Sequence, residues 1–173
     1  MLSFLRRRQG LLDAVVFSGG EPTLQAGLPD AVAAVRDLGF RVGLHTAGCY
    51  PERLAALLPS LDWVGLDIKA LEGDYPVVTG VPDSGVRAFE SLRYLLEAGV
   101  PCEVRVTVHP RLLPSDRLQT LLDRLQSLGV ASIVLQRCRV TGMLDPALGP
   151  PGSFPEAIAD GGVVCWRGGE SAG

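Results

Sequence analysis

Polar residues follow two apolar segments of this sequence at positions where they could bind a small charged ligand. Gly19, Gly20 and Glu21 come shortly after the apolar segment Ala14–Phe17. Two adjacent glycines let a ligand approach the backbone closely, and a carboxylate suits an ammonium group. Asp67 and Lys69 end a later apolar segment, and their two-residue spacing places both side chains on one face of an extended strand. The chemistry that these residues favour is recognition of a zwitterionic or multiply charged small molecule.

The segment Cys102–His109 alternates apolar and polar side chains. Valines occupy every second position, and Arg105, Thr107 and His109 lie between them. One face of this strand is therefore apolar, and the other carries a hydroxyl and two potential cations. We expect the polar face to line a ligand site.

Each pattern also has a purely structural interpretation. The glycines could form a turn that is capped by Thr23, with Glu21 in the first turn of a helix. His45 could be a hydrogen-bonded structural histidine, and Cys102–His109 could be an edge strand with one solvated face. From residue types and spacing alone, these alternatives stay open.

Apolar segments alternate with helical stripes along most of the chain, which predicts parallel strands connected by helices in an α/β fold. The predicted elements are strand Ala14–Phe17, helix Leu28–Leu38, strand Phe40–His45, helix Pro51–Leu58, strand Trp63–Ile68, helix Val86–Leu96, strand Cys102–His109, helix Leu118–Leu128 and strand Ile133–Gln136. Five strands are too few for a closed eight-stranded barrel, so we expect an open α/β sheet or part of a barrel. Residues 1–138 form the predicted domain. Residues 139–173 are rich in glycine and proline, and we expect them to be a mostly disordered tail.

Composition and charge exclude several classes of protein. The 173 residues carry 16 Lys and Arg against 19 Asp and Glu, a net charge of −3, which indicates neither a nucleic-acid partner nor a membrane surface. No apolar run approaches the roughly 20 residues that a membrane-spanning helix needs. We expect a soluble, cytoplasmic protein.

The four cysteines, Cys49, Cys102, Cys138 and Cys165, are far apart in the sequence. They form no CxxC or CxxxCxxC motif, so no local metal or iron–sulfur site is predicted and no metal ligand is assigned. In a reducing compartment they are expected to be free thiols.

Four stretches together resemble the radical S-adenosylmethionine (SAM) activating enzymes: VVFSGGEPTLQ, GLHTAG, DWVGLDIKA and EVRVTVHP. The closest likeness is to activating proteins of anaerobic ribonucleotide reductases, and it covers about residues 4–137. The resemblance implies a partial (β/α)₆ barrel that holds SAM against a 4Fe–4S cluster. It also implies a cofactor-binding set, with no catalytic residue assigned in this chain: Gly19, Gly20, Glu21, Pro22, Thr46, Asp67, Lys69 and Arg105.

By this resemblance, the turn from Gly19 to Glu21 engages the methionine amino group of SAM, with Pro22 fixing the turn. Thr46 bonds the methionine or the ribose, and Asp67 with Lys69 holds the ribose and the carboxylate. Arg105 meets the SAM carboxylate or the substrate loop.

The implied reaction is one-electron reduction of SAM to a 5′-deoxyadenosyl radical, which abstracts hydrogen from a glycine of the partner. The implied partners are the catalytic subunit of an anaerobic ribonucleotide reductase and a reductant such as flavodoxin or ferredoxin.

The family binds its cluster through CxxxCxxC in a loop after the first barrel strand, and this sequence lacks that motif. We therefore expect an N-terminally truncated activase that lacks the first strand and is inactive by itself, with cluster ligands upstream of residue 1. The exposed edge of Ala14–Phe17 is then expected to promote association. Two other hypotheses stay open. One is a Schiff-base lyase that uses Lys69, and the other is a cluster-less module that binds a ligand or a protein.

Overall fold

The computed structural model describes residues 2–139, 146–159 and 162–167. Within these ranges no helix is long and apolar enough to span a bilayer. The helices and strands are α1 (Leu2–Arg6), β1 (Ala14–Phe17), α2 (Leu28–Asp37), β2 (Arg41–Thr46), α3 (Pro51–Leu57), β3 (Trp63–Asp67), α4 (Tyr75–Thr79), α5 (Ser84–Ala98), β4 (Cys102–Val108), α6 (Ser115–Ser127), β5 (Ile133–Arg137) and β6 (Val164–Arg167).

The chain divides into two compact units, and each has its own parallel strands. The first unit comprises residues 2–67 and Val86–Cys102. In it β1 pairs with β2 and β2 with β3, so that Phe17 lies beside Leu44 and Leu44 beside Val64. Leu44 and Val64 are fully buried. Apolar side chains of α2 and α3 complete this core, as the helical stripes in the sequence predict.

The second unit comprises Ile68–Gly85 and the described residues from Glu103 onward. Here β4 pairs with β5 and β5 with β6, all parallel. The valines of β4 alternate inward and are fully buried, which confirms the apolar face predicted for this strand. The buried leucines of α6 follow the predicted stripe and end before Gly129, where φ is +91°. The sequence predicts one domain over residues 1–138 and a tail over residues 139–173, which differs from this division. That boundary stays a prediction.

All five predicted strands are present, with ends that differ from the prediction by at most one residue. The sixth strand, β6, lies in the segment for which the sequence predicts disorder. It is four residues long and pairs in register with β5 from Ile133 to Gln136. Average composition does not reveal this strand, because its four residues lie within a glycine- and proline-rich segment. The disorder expected of residues 139–173 as a whole stays a prediction. Residues 140–145, 160–161 and 168–173 lie outside the described residues.

His109 does not share the exposed polar face that the sequence predicts for it. Its side chain is buried, and its Nε2 lies 3.3 Å from the carbonyl oxygen of Gly149. The ring Nδ1 accepts a hydrogen bond from the backbone N–H of Arg111 at 3.3 Å, so Nε2 carries the proton and donates to the carbonyl. His109 therefore connects the end of β4 to Gly149, in the segment that precedes β6, through a hydrogen bond.

The outer edge of β1 has no strand partner among the described residues, because β1 pairs only with β2. Val16 on this strand is 47% exposed. Such an edge can pair with another chain. Association through it stays a prediction.

Gly65 in β3 is expected to tolerate no side chain. A Cβ at this position would lie 2.5 Å from His45 Nδ1 and 2.7 Å from the Trp63 ring. The two rings already pack edge to face with centroids 5.1 Å apart. We expect Gly65→Ala to lower the free energy of unfolding by about 2 kcal/mol, the typical cost of overpacking.

Urea denaturation measures this change, and Gly73→Ala is the control, because a Cβ at Gly73 would meet nothing within 4 Å. Equal stability of the two variants would show that the His45 and Trp63 rings move aside without cost.

Candidate functional site

The turn after β1 leaves open space beside its backbone. Gly19 and Gly20 have φ angles of +94° and +55°, in the left-handed region that favours glycine. A Cβ built on either residue would meet nothing within 4 Å. The two glycines therefore form a backbone surface that a ligand can approach, at the carboxyl end of a parallel strand where ligands of α/β folds bind.

Glu21 connects this turn to the end of β2. Its Oε1 accepts hydrogen bonds from the backbone N–H and the hydroxyl of Thr23, at 3.1 and 2.6 Å, and from the hydroxyl of Thr46 at 2.7 Å. Its Oε2 accepts from the backbone N–H of Ala47 at 2.8 Å. Glu21, and not Thr23 as the structural alternative had it, is the N-cap of the short 3₁₀ helix Pro22–Leu24. Pro22 opens that helix and is buried. Its role in fixing the turn for the ligand stays a prediction.

The loop after β2 is held by a second set of hydrogen bonds. The Thr46 hydroxyl, buried to 2% exposure, accepts from the backbone N–H of Gly48 at 3.0 Å. The Gly48 carbonyl accepts from the hydroxyl of the fully buried Ser91 at 2.9 Å. A side chain at Gly48, where φ is +68°, would collide with Ser91. The Thr46 hydroxyl therefore links the Glu21 carboxylate to the loop that follows β2.

Sequence reasoning missed Thr23 as a hydrogen-bond donor to Glu21, and it also missed Ala47 and Ser91. Thr23 carries a weak signal, since a hydroxyl two residues after a carboxylate can bond to it locally. The backbone N–H of Ala47 and the hydroxyl of Ser91 carry no such signal, because their partners lie 26 and 43 residues away.

The other predicted site residues lie on β3, β4 and the loop after β3. Asp67 ends β3 in the first unit and is partly buried. In the second unit the Lys69 side chain is exposed, and its backbone N–H donates to the Tyr75 hydroxyl at 3.0 Å. Arg105 is partly buried on β4, and its carbonyl accepts from the N–H of Ile68 at 2.9 Å. Of the predicted set, the structure shows direct side-chain contact between Glu21 and Thr46.

This arrangement fits the amino-acid end of SAM. The open surface along Gly19 and Gly20 can accommodate the amino-acid end of the ligand. The ordered carboxylate of Glu21 next to it favours an ammonium group. Both Glu21 oxygens already accept from protein donors. The direct bond from Glu21 to the ligand's amino group therefore stays a prediction, and so do the SAM contacts of Thr46, Asp67, Lys69 and Arg105.

The described residues do not fit an iron–sulfur cluster. No group of three or more His, Cys, Asp or Glu side chains that could hold a metal ion occurs among them. All four cysteines belong to the described residues and are free thiols. Burial raises the pKa of the Cys102 thiol, which disfavours the thiolate that a metal ligand must be.

We expect the 173-residue chain to bind no stoichiometric 4Fe–4S cluster. Anaerobic reconstitution followed by iron and sulfide analysis tests this, with a variant in which Cys49 and Cys165 are replaced by serine as the control. An iron content close to that of an intact cluster, lost in the control variant, would contradict the expectation.

A family model described as the radical SAM superfamily matches residues 2–123 of this chain. A protein of Methanocaldococcus jannaschii, described as a glycyl-radical enzyme activating enzyme, is 28% identical over 119 residues, which are 63% of this chain and 48% of the relative. The 7-carboxy-7-deazaguanine synthase of Thermococcus kodakarensis is 31% identical over 105 residues, which are 60% of this chain and 41% of the relative. This chain thus spans less than half of the length of these curated relatives.

Two solved structures show the fold. A domain of the pyruvate-formate lyase-activating enzyme from Bacteroides vulgatus superposes with a TM-score of 0.70 at 16% identity, covering 91% of this chain and 100% of that one. Streptococcus suis SuiB bound to S-adenosylmethionine superposes with a TM-score of 0.65 at 16% identity, covering 84% of this chain and 35% of that one. The likeness confirms the predicted α/β fold of the partial-barrel type.

Proposed function

This chain belongs to the radical SAM superfamily, and from that premise we propose that it is the SAM-binding part of a glycyl-radical-enzyme activase. The observation that carries the proposal is the open Gly19–Gly20 turn with Glu21 anchored beside it. The relative from M. jannaschii, described as such an activating enzyme, supports the choice of reaction.

In the proposed complex, the turn of Gly19 and Gly20 receives the methionine end of SAM. Asp67 and Lys69 hold the ribose and the carboxylate, and Arg105 meets the carboxylate or the substrate. Bound SAM, once reduced by one electron, supplies the 5′-deoxyadenosyl radical of this superfamily. The described residues do not fit a cluster, so the source of that electron lies outside them in this proposal.

The proposed partner is a glycyl radical protein, and the finer proposal is the catalytic subunit of an anaerobic ribonucleotide reductase. A flavodoxin or ferredoxin is the proposed reductant. These assignments rest on the sequence resemblance and on the activating-enzyme relative.

A second candidate is a radical SAM enzyme that acts on a small molecule. It is favoured by the deazaguanine synthase relative, which is 31% identical to the matched part of this chain, against 28% for the activating-enzyme relative. The cluster-less binding module stays possible for the chain alone, because the described residues offer no metal site. The Schiff-base lyase is disfavoured, because the chain belongs to the radical SAM superfamily.

The deciding experiment supplies the cluster motif that the family uses. A form of the chain that is extended ahead of residue 1 by an added segment with CxxxCxxC is expressed anaerobically, reduced, and mixed with SAM and with a candidate glycyl radical protein. We expect 5′-deoxyadenosine and an electron paramagnetic resonance doublet from the partner's glycyl radical. Formation of 5′-deoxyadenosine with a purine nucleotide, and not with the protein, would favour the second candidate.

Asp67→Asn is expected to weaken SAM binding far more than folding. Asp67 ends a strand and is only partly buried, so the change opens no cavity. Losing a charge-assisted hydrogen bond typically costs about 1.5–3 kcal/mol, which corresponds to a roughly tenfold to hundredfold weaker SAM affinity. Calorimetric titration with SAM and the thermal midpoint of the same variant, both measured in that extended form, test this. Wild-type affinity with a sharply lowered midpoint would make Asp67 a structural residue.

A further inference from the structure

Arg53 lies in the first turn of α3, and its guanidinium contacts the turn that follows β1. Its Nη1 donates to the carbonyl oxygens of Thr23 at 3.1 Å and of Leu24 at 3.0 Å. A cation near the N-terminus of a helix opposes the helix macrodipole, so the charge of Arg53 does not stabilise α3. What this charge stabilises is the turn.

The carbonyls of Thr23 and Leu24 lie at the end of the short 3₁₀ helix, where no later N–H of that helix can bond them. Within the described ranges of the chain, Arg53 is the only hydrogen-bond donor to either carbonyl. The last carbonyls of a helix need external donors, and a basic side chain can supply them. Arg53 therefore caps the C-terminal end of the helix whose N-cap is Glu21.

Thr23 connects Arg53 to the Glu21 carboxylate. Its backbone N–H and its hydroxyl donate to Glu21 Oε1, at 3.1 and 2.6 Å, while its carbonyl accepts from Arg53. The guanidinium is itself held against the Tyr50 ring, with Cζ 5.0 Å from the ring centroid. The orientation of the Glu21 carboxylate thus depends on Arg53 as well as on Thr46.

We infer that Arg53 is a positioning residue for SAM binding. It holds the turn from Gly19 to Glu21 in the geometry that receives the methionine end of SAM, without itself contacting the ligand. The inference rests on the proposed function and adds a residue that lies 30 positions beyond Thr23, on a different helix. A site that is ordered before the ligand arrives loses less conformational entropy on binding, which raises the affinity.

Replacement of Arg53 opens no cavity in the core. Arg53 is exposed and lines a surface pocket of about 350 Å³, together with Thr23, Leu28 and Leu57. A shorter side chain enlarges this open pocket and leaves the apolar packing of α2 and α3 in place. The effect of such a change is therefore expected at the turn and not in the stability of the whole unit.

Amide hydrogen exchange of the 173-residue chain without SAM is the first test. Arg53→Met keeps the apolar stem and removes the donors, whereas Arg53→Lys keeps a charged donor. We expect the Thr23 N–H to exchange about tenfold faster in Arg53→Met, the loss typical of a hydrogen bond to a charged group, and within about threefold of wild type in Arg53→Lys. The matched control is Arg36→Met, because Arg36 is also exposed and donates to the Ser60 carbonyl at 3.1 Å. It should leave exchange at Thr23 unchanged.

Calorimetric titration with SAM, in the extended form used to test the function, is the second measurement. Arg53→Met is expected to bind SAM about tenfold more weakly than the wild type, and Arg53→Lys within about threefold. Arg36→Met should bind as the wild type does. Arg53→Met is also expected to lower the midpoint of urea denaturation no more than Arg36→Met does. A merely structural arginine would shift the midpoint and leave SAM affinity unchanged.

The two measurements separate this inference from the proposed function. Wild-type exchange at Thr23 in Arg53→Met would overturn the inference, whatever the SAM affinity. Faster exchange together with wild-type SAM affinity would also overturn it, because ligand binding would then not depend on the ordered turn. Failure of the wild type to bind SAM would contradict the proposed function, and the exchange rates would still decide whether Arg53 holds the turn. Arg53→Ala is a second donor-free variant, which keeps the test valid if Arg53→Met misfolds.

Discussion

Glu21→Ala is expected to lower the free energy of unfolding by about 3 kcal/mol and to abolish measurable SAM binding. The Glu21 carboxylate accepts four hydrogen bonds, from Thr23, Thr46 and Ala47. Its removal leaves the hydroxyls of Thr23 and Thr46, each 2% exposed, without their acceptor. Losing a charged acceptor and leaving buried donors unsatisfied are among the costly single changes in proteins.

Urea denaturation and calorimetric SAM titration measure the two effects of Glu21→Ala. Glu52→Ala is the matched control, because Glu52 is an exposed carboxylate on α3 of the same unit and should change stability by less than about 0.5 kcal/mol. The free energy of unfolding of Glu21→Gln is expected to lie between those of Glu21→Ala and Glu52→Ala. The glutamine amide keeps one acceptor oxygen, but its N–H groups face a donor of the protein. Unchanged stability with lost SAM affinity would mean that Glu21 acts on the ligand alone.

Removal of residues 140–173 is expected to lower the free energy of unfolding by about 2–4 kcal/mol, or to abolish cooperative unfolding. The deletion removes β6 and its ladder with β5. It also leaves Glu103 without Arg167 and removes the Phe154 and Trp166 rings that flank the Arg137 guanidinium. The lost apolar burial and hydrogen bonds outweigh the ordering entropy of residues 140–173, which the shortened chain no longer loses on folding.

Point variants of the full chain distinguish the contribution of β6 to stability from the effect of shortening the chain. Val164→Asp places a charge at a position that is 2% exposed and should cost about 3 kcal/mol or more. Val163→Asp, at a neighbouring position that is 37% exposed, should cost less than about 1 kcal/mol. A deletion variant as stable as the full chain would support the disordered tail that the composition predicts.

The sequence by itself determined the positions of the five strands and of helices α2, α3, α5 and α6 between residues 14 and 137, because hydrophobic periodicity is local. The short helix α4, Tyr75–Thr79, lies in a stretch for which the sequence predicts a loop. The apolar segment Ala14–Phe17 and the alternating valines of β4 can be identified without knowing what packs on them. The motif residues Gly19, Gly20 and Glu21 were likewise identified as a candidate ligand site from their types and their position after a strand.

Only the tertiary structure decided what these residues contact. The donors to Glu21 from Thr46 and Ala47 lie 25 and 26 residues away, and no local pattern encodes which backbone N–H will face a carboxylate. β6 and the buried position of His109 depend in the same way on where a distant segment docks. Local periodicity reports which face of an element is apolar, whereas the partners of a polar group are set by the packing of elements far apart in the chain.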